Sequence, residues 1–301
     1  MFQALPFTMR RFLMITGYFL LGLLVVWLIV VQAGCLSMRT PDAEWKKKLY
    51  QKAPEVKPLF IDVVDQTGRR IHAVAVSSAD TLPCLVWVHG SPGSSDAFLD
   101  YLSDSTLNTA FRMIAFDRPG FGYTEGFGKP EPSLRNQALA LKAVADTFAS
   151  GQKVLLAGHS LGASVIVKFA MDFPDLTAGL ILLGGSVDPS MEEHPWWQKA
   201  VDKAPLKWFT PRALWTSNAE IIPLEKELED ILPGWEKITC PVMMIHARND
   251  RLVPYANVDF ARRMLVNCPD LRVNTFDKGD HFILWTRPDT VRKLILEMSP
   301  R

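Results

Sequence analysis

Five short runs of apolar residues constrain the fold of this chain more than any other feature. They are residues 85–88, 113–116, 154–157, 180–183 and 242–245. Uninterrupted apolar runs of this length are typical of strands that are buried on both faces of a sheet. Helical patterns separate most of them, for example over residues 133–150. We therefore expect an α/β domain with a mostly parallel sheet, helices on both faces, and functional loops at the carboxyl ends of the strands.

Other segments define the limits of this domain. Residues 59–64 and 71–76 flank a turn signal at 66–68, which predicts an antiparallel hairpin before the parallel strands. Apolar residues make up 48% of the 301 residues and charged residues 22%, enough for one sizeable core. We predict a single domain over residues 57–301, interrupted by an insertion at 186–238 that forms a small helical cap.

The N-terminus carries a separate apolar segment. Residues 12–31 contain no charge and are long enough to cross a hydrocarbon core as a helix. Ala33-Gly34-Cys35 resembles the end of a bacterial lipoprotein signal, which would make Cys35 a lipidation site, although Gln32 departs from that pattern. We predict a signal or anchor over residues 1–35, a polar stalk or short helix over 36–56, and export with attachment to the extracytoplasmic or periplasmic face of a membrane.

Composition excludes several classes of function. A net charge of +1 with scattered basic residues gives no field for nucleic acid. The four cysteines form no C-x-x-C pair and have no companion histidine at zinc-ligand spacing, so we expect no metal site.

Gly158-His159-Ser160-Leu161-Gly162 follows the run at 154–157 and opens an apolar helix. A serine on so sharp a turn needs small residues two positions before and after it, because the strained backbone leaves no room for side chains. The strand, turn and helix context favours Ser160 as a nucleophile over a simple helix cap.

Two glycine-containing loops follow the preceding strands. His89-Gly90-Ser91-Pro92-Gly93 comes directly after residues 85–88, where backbone N–H groups can face a developing negative oxygen. The loop at residues 117–124 follows 113–116. With the serine motif, these loops make the chain resemble bacterial α/β-hydrolases over nearly all of residues 60–298. The resemblance implies that the 117–124 loop braces the site without taking part in catalysis.

The α/β-hydrolase fold uses the chain order serine, acid, histidine. Asp250 follows the run at 242–245 and matches the family's acid, whereas His281 matches the base. Asp280 is a rival acid by proximity, ranked second because a neighbour in sequence readily points away from the ring. We assign the oxyanion hole to the N–H groups of Ser91 and Leu161, and we expect His89 to hold its loop by hydrogen bonding.

The predicted reaction is ester hydrolysis through an acyl-enzyme on Ser160, with no cofactor and a small-molecule ester as substrate. The cap is rich in aromatic residues, and Trp196, Trp197, Trp208 and Phe209 are candidates for an apolar substrate pocket. A sensing module without turnover, an acyltransferase and a peptidase remain alternatives. The 89–93 loop is similar to that of proline iminopeptidases, but the cap is short for them. Haloalkane dehalogenases and epoxide hydrolases are disfavoured because they place an aspartate where this chain has Ser160.

Overall fold

The computed structural model describes residues 6–32, 36–77, 79–149, 151–193 and 195–299. Its centre is one eight-stranded sheet with the strand order β1-β2-β4-β3-β5-β6-β7-β8. The strands are β1 (Leu59–Val64), β2 (Arg70–Val76), β3 (Cys84–Val88), β4 (Arg112–Phe116), β5 (Val154–His159), β6 (Thr177–Leu183), β7 (Val242–Ala247) and β8 (Leu271–Phe276). Each predicted apolar run is a strand.

The sheet is antiparallel only at its β1 edge. β1 pairs antiparallel with β2 and β2 with β4, whereas all other neighbours are parallel. The predicted hairpin and the predicted α/β-hydrolase fold class are therefore confirmed.

Helices cover both faces of the sheet. Successive side chains of a strand point to opposite faces, and in β3 Val86 and Val88 join one apolar cluster while Leu85 and Trp87 join the other. The helices are α1 (Phe7–Gln32), α2 (Asp42–Lys52), α3 (Leu99–Leu102), α4 (Ser105–Ala110), α5 (Leu134–Ala149), α6 (Leu161–Asp172), α7 (Trp196–Val201), α8 (Leu206–Phe209), α9 (Arg212–Ile221), α10 (Leu224–Ile231), α11 (Ala256–Met264), α12 (Ile283–Thr286) and α13 (Pro288–Leu296).

The cap insertion is helical, as predicted for residues 186–238. It lies between β6 and β7 and comprises α7 to α10 with short 3₁₀ helices at Pro189–Met191 and Leu232–Lys237. Because β6 ends at the carboxyl edge of the sheet, the insertion leaves the sheet on the side where the site loops gather.

Helix α1 is long and exposed. Its segment Phe7–Val31 has 25 residues and is apolar and long enough to cross a membrane. Most of its large apolar side chains are exposed. The candidate lipidation site Cys35 lies outside the described residues.

The segment at 36–56, for which we expected a polar stalk or short helix, contains a helix that packs against the domain. Its helix α2 buries Trp45 and Leu49 in the same cluster as Trp87, and Trp45 meets Phe60 edge-on at 5.5 Å. At the start of α2, Asp42 contacts the buried His72 at 3.1 Å, and Asp62 contacts the other ring nitrogen at 3.2 Å. The four-residue spacing of Trp45 and Leu49 places both on one helix face, and that face belongs to the core.

Candidate active site

Ser160 occupies a sharp turn between β5 and α6. Its backbone has φ 55° and ψ −125°, a conformation that non-glycine residues rarely adopt. A Cβ on Gly158 would lie 2.5 Å from the Gly162 carbonyl oxygen, and a Cβ on Gly162 would collide with the Val88 carbonyl. Both glycines are therefore required for the close approach that presents Ser160, as the motif predicts.

Asp250 and His281 form a hydrogen-bonded pair beside Ser160. His281 Nδ1 lies 2.8 Å from Asp250 Oδ2, and both residues are buried. The other oxygen, Oδ1, accepts the N–H groups of Leu252 and Val253 at 2.9 Å each. With Nδ1 donating to Asp250, Nε2 of the neutral ring is free to accept a proton.

The hydrogen bonds keep the Asp250 carboxyl ionised. Burial acts to raise its pKa, but the bonds from His281 and from the N–H groups of Val253 and Leu252 outweigh burial, so the pKa lies below its ordinary value. Asp280, the rival acid, turns away and accepts the Phe282 N–H at 2.8 Å instead.

The 89–93 loop lies against Ser160. A Cβ on Gly90 would lie 2.9 Å from Ser160 Cβ, and one on Gly93 would lie 2.9 Å from His89 Nδ1. Ser91 and Leu161 line the same cavity as Ser160 and His281. The described residues thus bring the predicted oxyanion donors and two members of the triad to one cavity.

His89 is a neutral brace in the interior. Its ring is fully buried, Nε2 accepts the Arg118 N–H at 2.9 Å, and Nδ1 donates to the Gly90 carbonyl at 2.7 Å. Burial, reinforced by the Arg118 charge, lowers its pKa well below the ordinary value. The geometry agrees with the structural role expected for His89.

A buried ion pair supports this loop from behind. Arg118 is completely buried, and its guanidinium donates to the carbonyls of His89 (2.9 Å) and Gly90 (3.0 Å). It also donates to Glu220 Oε1 at 2.8 Å and Oε2 at 3.0 Å, and to Gln137. These contacts employ all five guanidinium N–H groups. Sequence reasoning missed Glu220, because a lone glutamate in an amphipathic cap helix gives no signal of its partner.

His159, inside the serine motif, is a second buried neutral histidine. Its Nε2 lies 3.1 Å from the His281 carbonyl oxygen, and its ring meets Trp285 edge-on at 5.2 Å. Burial lowers its pKa to about 4, with a contribution from the His281 charge. His159 therefore holds the backbone of His281 in place through this contact.

The cavity at Ser160 has a volume of about 770 Å³. Apolar side chains from several parts of the chain line it, namely Met38, Ile221, Leu224, Leu252, Phe282 and Trp285. Met38 was unexpected, since it belongs to the segment predicted as a polar stalk or short helix before the domain. The charged lining side chains among the described residues are three carboxylates (Asp96, Glu192, Glu193) and one guanidinium (Arg251).

The aromatic residues suggested for the pocket lie elsewhere. Trp196, Trp197 and Trp208 are 81%, 51% and 58% exposed, and neither they nor Phe209 line the cavity of Ser160. The pocket assignment of these four residues is therefore corrected. Composition identified an aromatic cap but could not show which way the short helices α7 and α8 face.

Comparison with known proteins agrees with this fold. The model of the alpha/beta hydrolase family matches residues 85–294, so the chain belongs to this family. A 2-hydroxy-6-oxononadienedioate/2-hydroxy-6-oxononatrienedioate hydrolase of Burkholderia vietnamiensis is 23% identical over 280 residues, covering 80% of this chain and 95% of that protein.

Two solved structures share the fold. A putative aryl esterase from Burkholderia cenocepacia has a TM-score of 0.65 at 18% identity and covers 79% of this chain and 97% of its own. A membrane phospholipase A, described as a bacterial virulence factor, has a TM-score of 0.64 at 19% identity and covers 94% of this chain and 97% of its own. The protein is thus a hydrolase of the alpha/beta hydrolase family.

Proposed function

We propose that this protein is a serine hydrolase that cleaves carboxylic esters through an acyl-enzyme on Ser160. The observation that carries the proposal is that His281, bonded to Asp250 with an Nδ1–Oδ2 distance of 2.8 Å, lines one cavity with a serine held at positive φ. A non-glycine residue in that strained conformation points to function, because ordinary packing does not require it.

In the first step, Ser160 Oγ attacks the ester carbonyl carbon while His281 Nε2 takes the hydroxyl proton. Asp250 stabilises the imidazolium, and the N–H groups of Ser91 and Leu161 hold the negative oxygen. Collapse of the tetrahedral intermediate breaks the ester C–O bond, and His281 returns the proton to the leaving alcohol. Water then repeats the sequence on the acyl-enzyme and releases the acid.

The lining of the cavity favours an ester with an apolar acyl or alcohol group. Three carboxylates against one guanidinium would repel a dicarboxylate, whereas Met38, Phe282 and Trp285 offer apolar contact. This charge pattern argues against the dienedioate that the Burkholderia vietnamiensis relative is named for. Carbon–carbon bond hydrolysis is therefore the second candidate.

We further propose that α1 attaches the enzyme to a membrane. Its 25-residue apolar segment would span a hydrocarbon core of roughly 30 Å, since an α-helix rises about 1.5 Å per residue. Its exposed side chains would then contact lipid. Acyl transfer to an acceptor other than water would use the same residues, and so would peptide cleavage, whereas a sensing module would need no intact triad.

The test is to treat the full chain in detergent micelles with a fluorophosphonate probe and a series of p-nitrophenyl esters. Labelling and turnover should both disappear in Ser160→Ala. The matched control is Ser190→Ala, a cap serine outside the cavity lining that should retain both. Undiminished turnover in Ser160→Ala would refute the nucleophile, and hydrolysis of a dienedioate but no ester would favour the second candidate.

A further inference from the structure

The cap presents an exposed apolar surface formed by Trp196, Trp197, Leu206 and Trp208, which we name the cap aromatic face. These four side chains lie on α7 and α8 and are 81%, 51%, 47% and 58% exposed. A group of large apolar residues on an outer surface marks an interaction site more often than chance exposure. Since none of them lines the Ser160 cavity, catalysis does not account for this face.

A contact between α1 and α8 indicates what covers the cap aromatic face. Trp27 Nε1 donates to the carbonyl oxygen of Phe209, at the end of α8, over 3.1 Å. Trp27 lies four residues before Val31, the last residue of the apolar segment, so it is about 6 Å from that end along the helix axis. If α1 spans a bilayer, α8 contacts it near the end of the apolar segment. α8 then lies close to the boundary between the lipid headgroups and the acyl chains.

The residue types of the face fit that boundary. Tryptophan is enriched at membrane–water interfaces, where its ring is in the apolar zone and its N–H reaches water. Residues 195–215 carry four basic side chains (Lys199, Lys203, Lys207 and Arg212) and one acidic side chain (Asp202). This excess of positive charge complements anionic lipid headgroups.

We propose that the cap aromatic face lies in the interfacial region of the bilayer that α1 spans, with anionic phospholipid as its occupant. The inference rests on the proposed membrane attachment through α1. The face and α1 together would hold the domain at two points, one spanning and one interfacial.

The position of the cavity follows from this arrangement. Met38 lines the cavity and lies only six residues after the end of α1 at Gln32. Six extended residues reach at most about 21 Å, so one wall of the cavity stays close to the bilayer. Leu252 and Phe282, which also line the cavity, are 66% and 48% exposed. The substrate class that we infer is therefore an ester of a membrane lipid.

The proposal can be tested with the full chain in liposomes of phosphatidylcholine and phosphatidylglycerol. Single cysteines would replace Trp196 on the cap aromatic face, Leu20 on α1 and Val266, and each would carry an environment-sensitive fluorophore. Val266 is the matched control, because it is 71% exposed and precedes β8, at the edge of the sheet opposite the cap. All three variants are made in a chain in which Cys35 and Cys268 are replaced. Cys84 and Cys240 can stay, because they are buried and are not expected to react with the fluorophore. Circular dichroism and thermal unfolding verify the fold of each variant.

We expect lipids with a nitroxide near the headgroup to quench the probe at position 196. Aqueous iodide should quench this probe less in liposomes than in their absence. The probe at 266 should show the reverse, and the probe at 20 should respond to deep nitroxides. A probe at 196 that behaves like the one at 266, with 20 still quenched, overturns the cap proposal while the anchor stands. No lipid quenching at 20 overturns both. Turnover of p-nitrophenyl esters, measured separately, decides the proposed chemistry.

Discussion

The Arg118–Glu220 pair gives the sharpest test of how the fold supports the site. Both side chains have 0% exposure, and the guanidinium also holds the His89 and Gly90 carbonyls. Glu220→Gln removes the negative charge and presents an amide NH₂ where an acceptor is required. Removing one partner of a buried ion pair leaves the other charge uncompensated, which costs about 3–5 kcal/mol of folding free energy.

Two quantities are measured on the full chain: the Tm of thermal unfolding, and kcat for ester turnover. At about 2–4 °C per kcal/mol for a domain of this size, Glu220→Gln should lower the Tm by about 6–20 °C. Glu44→Gln is the matched control, because the Glu44–Lys48 pair is exposed and is expected to contribute less than about 1 kcal/mol.

A double variant separates stability from positioning. Arg118→Met with Glu220→Leu replaces the ion pair by apolar groups, and such replacements are often neutral for stability. The His89 and Gly90 carbonyls would still lose their donors, so kcat should fall toward the 10²–10³-fold loss, roughly, seen when one oxyanion donor is removed. The reasoning is refuted if Glu220→Gln has the same Tm as the wild type, or if the double variant keeps the wild-type kcat.

Three further variants test individual side chains. Asp250→Asn should lower kcat by roughly 10⁴-fold, because the amide favours the wrong His281 tautomer, and a loss below about tenfold would contradict the triad. His159 has a folded pKa of about 4 against roughly 6.5 when unfolded, so its stability contribution is present above pH 6.5 and declines by up to about 3 kcal/mol as the pH falls to 4. In His159→Gln, the free energy of unfolding measured with urea should depend less steeply on pH between about 4 and 6.5. The same pH dependence as in the wild type would refute the pKa assigned to His159. Met38→Ala should shift the preferred p-nitrophenyl ester to longer acyl chains, whereas Met9→Ala on α1 should not, and equal profiles would remove Met38 from the substrate wall.

Local sequence rules predicted the sheet and the nucleophile turn because each depends on neighbouring residues. The run at 154–157 fixes a buried strand, and Gly158 and Gly162 fix the turn after it. The Asp250–His281 contact joins residues 31 positions apart, so local rules do not predict it. We predicted the pair from the order serine, acid, histidine that is known for the α/β-hydrolase fold.

The errors concern packing between segments, which no local pattern encodes. Residues 42–52 read as polar, yet Trp45 and Leu49 suffice to place one helix face in the core. The tryptophans at 196 and 197 read as pocket residues, but the direction of α7 turns them outward. Glu220 pairs with a residue 102 positions away, and a single chain offers no signal at that separation.

The docked segment between α1 and β1 also decides where the domain could be separated from α1, the proposed anchor. A protease that cuts after residue 53 would remove the cavity wall at Met38 and open the hydrophobic layer that Trp45 and Leu49 complete. Cleavage between residues 32 and 38 would leave that layer intact. Release of a form that keeps both the complete cavity and the closed layer is therefore confined to a window of six peptide bonds, and any cut beyond α2 should yield an aggregating fragment.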